Sequence, residues 1–178
     1  MVGYIHMIFF TIVGAIFIYI IFWYLVPFGR GAMYEPSGVP EVETIVKLAN
    51  IKKGQKTVDI GSGDGRIVIA MAKKGAKSHG YEVNPFLVYR SRKNIKQAGL
   101  EKQAFIHWKS FWGINFSDFD VVVTFQVGYI MKKLEKKLFA EMKPGSLIIS
   151  HYWTFPTIQP IKTSGEIHVY QVPELIEV

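Results

Sequence analysis

Apolar residues recur along this chain in three different rhythms. In the first rhythm they are continuous. From Met1 to Gly29 there is no Asp, Glu, Lys or Arg, and the run VGYIHMIFFTIVGAIFIYIIFWYLVPF contains no titratable side chain but His6 and three tyrosines. About 20 such residues cross a bilayer core as a helix. The run exceeds the roughly 7–15 residues of a signal-peptide core and lacks a basic flank and a small-residue cleavage site. Tyr4 lies near one end and Trp23 and Tyr24 near the other, where interfacial aromatics gather. The pattern predicts one transmembrane helix over residues 3–26, ended by Pro27 and Gly29.

The other two rhythms alternate through the rest of the chain. The Gly- and Pro-rich stretch FGRGAMYEPSG reads as a linker. After it Ser37 or Gly38 caps a helix in which Val42, Ile45, Val46 and Ala49 share one face. Short strands are expected at Thr57–Ile60, Ser78–Val83, Ala104–Trp108, Asp120–Phe125 and Ser146–His151. Two more are expected at Thr157–Lys162 and Glu166–Val172, around Thr163-Ser164-Gly165. Between them, helices are expected at Arg66–Lys74, from Asn84-Pro85 to Ala98, and at Tyr129–Met142. Lys109–Phe119 is too short for a full helix, which trims one crossover. Strand-helix alternation of this kind builds βαβ units and a mostly parallel, doubly wound Rossmann-like α/β sheet, here of seven strands. The chain divides into an anchor, residues 1–28, and a domain, residues 29–178.

Composition changes this picture in two respects. The formal charge is +7, and all of it falls after the apolar run. Arg30, Lys47, Lys52, Lys53 and Lys56 follow the helix, and by the positive-inside rule they place the domain in the cytoplasm. A basic domain on a tether is drawn to anionic headgroups, and the same charge would serve a nucleic acid. There is no cysteine, which excludes disulfides, thiol catalysis and cysteine-bound zinc. No metal site is expected.

The candidate chemistry begins at TVDIGSGDGR, residues 57–66. Gly61, Gly63 and Gly65 sit at the first strand-to-helix turn, where doubly wound sheets bind ligands. Glycine lets the chain turn tightly and brings backbone N–H groups close to a ligand. No Gly-Lys-Ser/Thr follows, so this is not a P-loop. Arg66 occupies the third glycine position of a dinucleotide fingerprint, which counts against a pyrophosphate. Glu82 ends the second strand, where a carboxylate accepts ribose hydroxyls. With Asp59 before the turn, the set reads as a site for a nucleoside without a pyrophosphate contact.

VDIGSGDGR followed by GYEVNPFLV resembles motifs I and II of the class I (seven-β-strand) S-adenosylmethionine (SAM) methyltransferases. The apolar anchor, YEPS at Tyr34–Ser37 and KLEKKLFAEMKPG make the chain similar to membrane-anchored protein lysine methyltransferases of the ADP/ATP translocase and ATP synthase c-subunit type. The resemblance spans about residues 26 to 172 and implies SAM as cofactor. It assigns Asp59, Gly61, Ser62, Gly63, Asp64 and Gly65 to the methionine and ribose side, and Glu82 with Asn84 to the ribose hydroxyls. Tyr34 and Ser37 join the cofactor site, though both would also serve simply to shape and cap the linker. Ser110, beside Phe111, stands where the family carries an acidic residue against the adenine. Glu35 replaces an apolar residue within YEPS. Glu35, Phe125, Gln126 and Trp153 are candidate acceptor-site residues, with core or lid packing as the alternative for Phe125, Gln126 and Trp153. No catalytic base is assigned, and the strand histidines His107, His151 and His168 are left out.

The implied activity is SAM-dependent protein-lysine N-methylation in or near a membrane, by a single-pass protein held in the bilayer through residues 3–26. A lipid, quinone or RNA methyltransferase and a non-catalytic SAM-binding membrane protein are the alternatives. Nucleic acid is not expected as a partner, because Phe125-Gln126-Val127-Gly128 after the fourth strand is not an Asn-Pro-Pro-Tyr-type base clamp.

Overall fold

Charge-free sequence at the N-terminus produces the expected single helix. The structure, a computed structural model, describes residues 2–25 and 34–174. Helix α1, Val2–Leu25, contains a stretch of mean hydropathy 2.3 from Gly3 to Ile21, long and apolar enough to cross a membrane, and none of that stretch is buried. The predicted stop at Pro27 and Gly29 lies outside the described residues.

The remaining elements follow the two shorter rhythms. Helix α2, Val39–Ala49, buries Ile45, Val46 and Ala49 and begins after Gly38, which offers no side-chain cap. Then come β1 (Lys56–Ile60), α3 (Arg66–Lys73), β2 (Lys77–Glu82), α4 (Pro85–Gln97), β3 (Ala104–Trp108), β4 (Val121–Thr124), α5 (Gly128–Glu141), β5 (Leu147–His151), β6 (Lys162–Ser164) and β7 (Ile167–Gln171). Asn84 caps α4 by accepting the N–H of Phe86 at 2.9 Å, and Pro85 supplies the preset first-turn φ.

The seven strands form one sheet in the order β3-β2-β1-β4-β5-β7-β6. β1 to β5 are parallel, and β7 runs antiparallel to both β5 and β6. Val121 to Thr124 are buried without alternation, as a central strand covered on both faces requires. One face packs Ile45, Ile67 and Met71 from α2 and α3 against Val121, Val123 and Ile149. Val88 and Ile95 of α4 extend that layer over β3. The opposite face packs Ile130, Leu134 and Leu138 of α5 against Val58, Ile60, Val122 and Ile148.

The trimmed crossover is a single 3-10 turn at Phe111–Gly113, and buried Phe111, Phe116 and Phe119 fill the space a helix would occupy. One expected strand is corrected. Residues 157–161 form no strand, and β6 starts only at Lys162. Pro156 and Pro160 have no N–H for a ladder. Thr157 gives its N–H to the buried Glu135 carboxylate of α5 at 2.9 Å and its hydroxyl to the same carboxylate. Thr157 is therefore pinned to α5, and the segment meets β7 only at its end, where the Ile161 N–H donates to the Val169 carbonyl at 2.8 Å.

Candidate active site

Strand order reverses at β1, between β2 and β4, and a cleft opens beyond the carboxyl ends of these strands. Its floor is the turn from Gly61 to Gly65. Gly61, Gly63 and Gly65 all have positive φ, which an L side chain resists. Space is as restrictive as conformation. A Cβ on Gly61 would meet the Gln126 amide at 2.6 Å, and one on Gly63 would meet the Tyr34 ring at 2.7 Å. Gly65 faces away from the cleft, where a Cβ would strike Ser91 of α4 at 2.8 Å.

The turn amides are committed within the protein. Gly61 and Ser62 both donate to the Tyr81 carbonyl, at 2.9 and 3.1 Å. Gly63 donates to Glu82 at 3.0 Å, and the other Glu82 oxygen accepts from Val83 and Asn84, each at 2.7 Å. The glycines therefore grant close approach, and these three amides are not ligand donors as the sequence had suggested. Glu82 is buried, and burial pushes its carboxyl up from the usual range while the three amides pull it down. Buried Asp59 is pushed up to about 8 by desolvation first and then by the charges of Glu82 and Asp64.

A strap from Tyr34 to Gly38 crosses the turn, and Arg66 fastens it. The guanidinium grips Asp64 through two bonds of 2.9 and 2.8 Å and donates to the Ser37 carbonyl at 2.5 Å. That fork holds the Asp64 carboxyl below the usual carboxylate range, mainly through its hydrogen bonds. Asn94 of α4 donates to the Asp64 carbonyl at 2.9 Å, which fixes the turn from below. On the other side Ser37 Oγ lies 3.2 Å from His151 Nδ1 at the end of β5, and the His151 ring lies 4.2 Å from that of Phe125. Gln126 closes the back by donating to the Ile60 carbonyl at 2.8 Å.

The cleft brings together Tyr34, Glu35, Ser37, Asp59, Gly61, Ser62, Gly63, Asp64, Glu82, Asn84, Phe111, Phe125 and Gln126. Three candidates do not line it. Gly65 packs on α4. Ser110 caps the 3-10 turn, its hydroxyl accepting from the Trp112 N–H at 3.4 Å. Trp153 packs over Gly128 at the rim, where a Cβ would meet its ring at 2.8 Å. Sequence reasoning missed Arg66, which it treated only as an obstacle to close packing, and His151. It also missed Lys109 and Leu87 in the lining. An Asp-x-Arg pair at the turn signals the first. Nothing in the local sequence signals the contact of His151 with Ser37, 114 residues away.

The profile of the ANTKMT methyltransferase domain family matches residues 59–162, from the buried aspartate to the start of β6. The chain belongs to this family. It is 41% identical over 133 residues to the mouse (Mus musculus) ATP synthase c-subunit lysine N-methyltransferase, covering 75% of this chain and 53% of that one. It is 35% identical over 142 residues to the mouse adenine nucleotide translocase lysine N-methyltransferase, covering 79% of this chain and 62% of the relative. The chain thus spans little more than half the length of these curated relatives. The crystal structure described as an RNA methyltransferase from Salinibacter ruber, in complex with S-adenosyl-L-homocysteine, superposes with a TM-score of 0.76 at 31% identity. That match covers 80% of this chain and 96% of the Salinibacter one. The sheet order and the family together make this a class I methyltransferase fold.

Proposed function

We propose that the protein is a SAM-dependent protein-lysine N-methyltransferase, anchored by α1 with its domain on the cytoplasmic side, and that its acceptor is a protein in or near the same membrane. The observation that carries the cofactor reading is the polar make-up of the cleft. Asp59, Asp64 and Glu82 present three carboxyl groups, and the one guanidinium in the lining among the described residues, that of Arg66, is spent on Asp64 and Ser37. Such a floor suits a ligand that offers hydroxyls and positive charge, and Arg66 is already paired with Asp64 rather than free for a phosphate. SAM has ribose hydroxyls, an ammonium and a sulfonium, so the residues present fit it. Glu82 would take the ribose hydroxyls, and Asp59 and Asp64 the methionine end under the Tyr34 strap. When bound, SAM supplies a methyl group already activated for in-line displacement.

The protein's own work is alignment and desolvation. A lysine of ordinary pKa, about 10.4, is neutral in roughly 1 of 2,500 copies at pH 7, a cost of about 4.6 kcal/mol. Apolar walls lower that pKa by disfavouring the ammonium. Tyr34 and Phe125 line the cleft and Trp153 stands at its rim, so an entering side chain would pass between rings. Glu35 is the exposed carboxylate in the lining and could receive the proton. The lysine acceptor is favoured by the two mouse relatives, whose names specify lysine N-methylation.

An RNA acceptor is the second reading. It rests on the Salinibacter structure, described as an RNA methyltransferase, and on the +7 charge. Transfer of radiolabelled methyl from SAM into separated membrane protein, lipid and RNA fractions distinguishes the readings. Label in protein that survives RNase and lipid extraction, and maps to lysine, is the expected result. Label confined to RNA or lipid would replace the proposed acceptor, and no transfer despite SAM binding would leave a binding protein.

A further inference from the structure

The exposed rings of the folded domain are distributed unevenly. Among the described residues from Tyr34 to Glu174, the large aromatic side chains classed as exposed all lie at the carboxyl end of the sheet. Trp108 is the last residue of β3. Phe86 and Tyr89 stand in the first turns of α4, directly beyond β2. Tyr34 lies on the glycine turn beyond β1, and Tyr129 opens α5 beyond β4. Tyr152 and Trp153 follow β5 and pack edge to face, their centroids 5.4 Å apart. Their exposure runs from 42% at Tyr34 to 73% at Tyr89. Exposed Val39, at the start of α2 just after the strap, adds an aliphatic side chain to the same end.

This rim is held outward by the backbone at one point. Tyr152 has φ +70, a left-handed conformation that costs a non-glycine residue roughly 1–3 kcal/mol. Its N–H is tied to the Glu166 carbonyl at 2.6 Å, and Ser150 Oγ donates to the Trp153 carbonyl at 2.5 Å. These bonds turn the chain sharply as it leaves the sheet. From β3 to β5 there are four strand spacings, so the rim is roughly 19 Å wide. Arg90 and Lys109 stand among the rings, and Glu35, Glu41 and Glu166 lie on the β5 side near His151.

We propose that this aromatic rim is a membrane-contacting surface, which seats the mouth of the cleft in the headgroup layer of the bilayer that α1 spans. Tyr and Trp have an apolar body and a polar tip, and they partition to the headgroup level of membranes. Arg90 and Lys109 suit anionic headgroups. The chain from Leu25 to Tyr34 can extend over no more than about 32 Å, so an anchored protein holds the Tyr34 end of its domain near the membrane. The seating rests on the anchored reading above and adds an orientation to it, with the strand carboxyl ends towards lipid.

The full chain carries four tryptophans, and Trp23→Phe removes the one in α1. That variant is reconstituted in phosphatidylcholine–phosphatidylglycerol vesicles whose acyl chains are brominated either near the headgroup or near the chain end. The rim requires quenching at least twofold stronger with the shallow bromines. It also requires that Trp108→Phe and Trp153→Phe, made singly in that background, each reduce the quenched fraction. Trp112 is retained throughout as a constant background. Absence of quenching while the protein resists carbonate extraction overturns the rim and leaves the anchor standing. Quenching in a protein that carbonate releases supports the rim and removes the anchor. Shielding from aqueous acrylamide that appears only when a membrane-protein acceptor is added would make this a protein-docking face and overturn the proposal.

Discussion

Glu82 is the side chain on which the cleft turns. One of its oxygens holds Gly63 and the other holds Val83 and Asn84. A glutamine can keep one oxygen in place, but it puts an N–H₂ against backbone donors and loses the charge. Hydrogen bonds to a charged group contribute about 1.5–3 kcal/mol each. Glu82→Gln should therefore weaken SAM binding at least about 100-fold in calorimetry, and a variant that binds as tightly as the parent removes Glu82 from the site. Asp59 makes a second residue-scale prediction, with a definite sign. Its folded pKa, about 8, lies above the unfolded value near 3.9. Its contribution to stability is full below pH 3.9 and is lost as pH rises through 8. Asp59→Asn should flatten the decline of Tm between pH 5 and 8.5. A ligand ammonium in the cleft favours the ionised carboxyl, so binding at pH 7 should release protons. Calorimetry in two buffers of different ionisation enthalpy reads that release, and its persistence in Asp59→Asn would assign it elsewhere.

At the scale of elements, the three glycines of one turn should respond differently to the same change. Gly65→Ala meets Ser91 and a left-handed backbone at the root of α3. Strain and overpacking together cost about 2–4 kcal/mol. The expected result is a Tm lowered by several degrees, with ligand affinity kept in the fraction that stays folded. Gly63→Ala instead displaces the Tyr34 ring from the strap, so affinity should fall more than stability. Equal effects of the two on both readouts would mean that strap and turn are one packing unit. This division was not legible in the sequence, where the glycines look alike. The order of strands and helices was legible, because buried strands such as VVVT and the Ile45, Val46 and Ala49 face have distinct periods. The Thr157–Lys162 segment was misread because its partner, Glu135, lies 22 residues away and competes with the β-ladder for the Thr157 N–H. Most cleft residues were legible because they are contiguous in sequence and sit at strand ends. His151 was not, because its contact with Ser37 closes across almost the whole domain.

For the whole molecule, the question is what α1, as the proposed anchor, does for the chemistry. Among the described residues, every one that lines the cleft belongs to the segment from Tyr34 to Gln126, and none to α1. Deleting residues 1–28 should leave SAM affinity within about twofold of the parent, and a larger loss would make α1 part of the fold rather than a tether. Tethering converts a search in three dimensions into one within the membrane, and it raises the effective concentration only of acceptors that share that membrane. Methylation of a juxtamembrane lysine in native membranes should therefore slow at least 10-fold in the truncated protein. A lysine peptide free in solution should be methylated at nearly the parent rate. The pair of rates is decisive because each acceptor controls for the other. Equal loss on both would place the defect in catalysis. Equal retention on both would mean that selection of the acceptor resides in the cleft and not in the bilayer. Reversing the orientation supplies the last control. With the domain on the cytoplasmic side, protease should digest it in inverted vesicles and spare it in right-side-out ones. The basic residues behind the proposed orientation, Arg30 and the lysines from Lys47 to Lys56, all follow the helix in sequence. The opposite protection pattern would put the cleft, and any lysine it reaches, on the other face of the membrane.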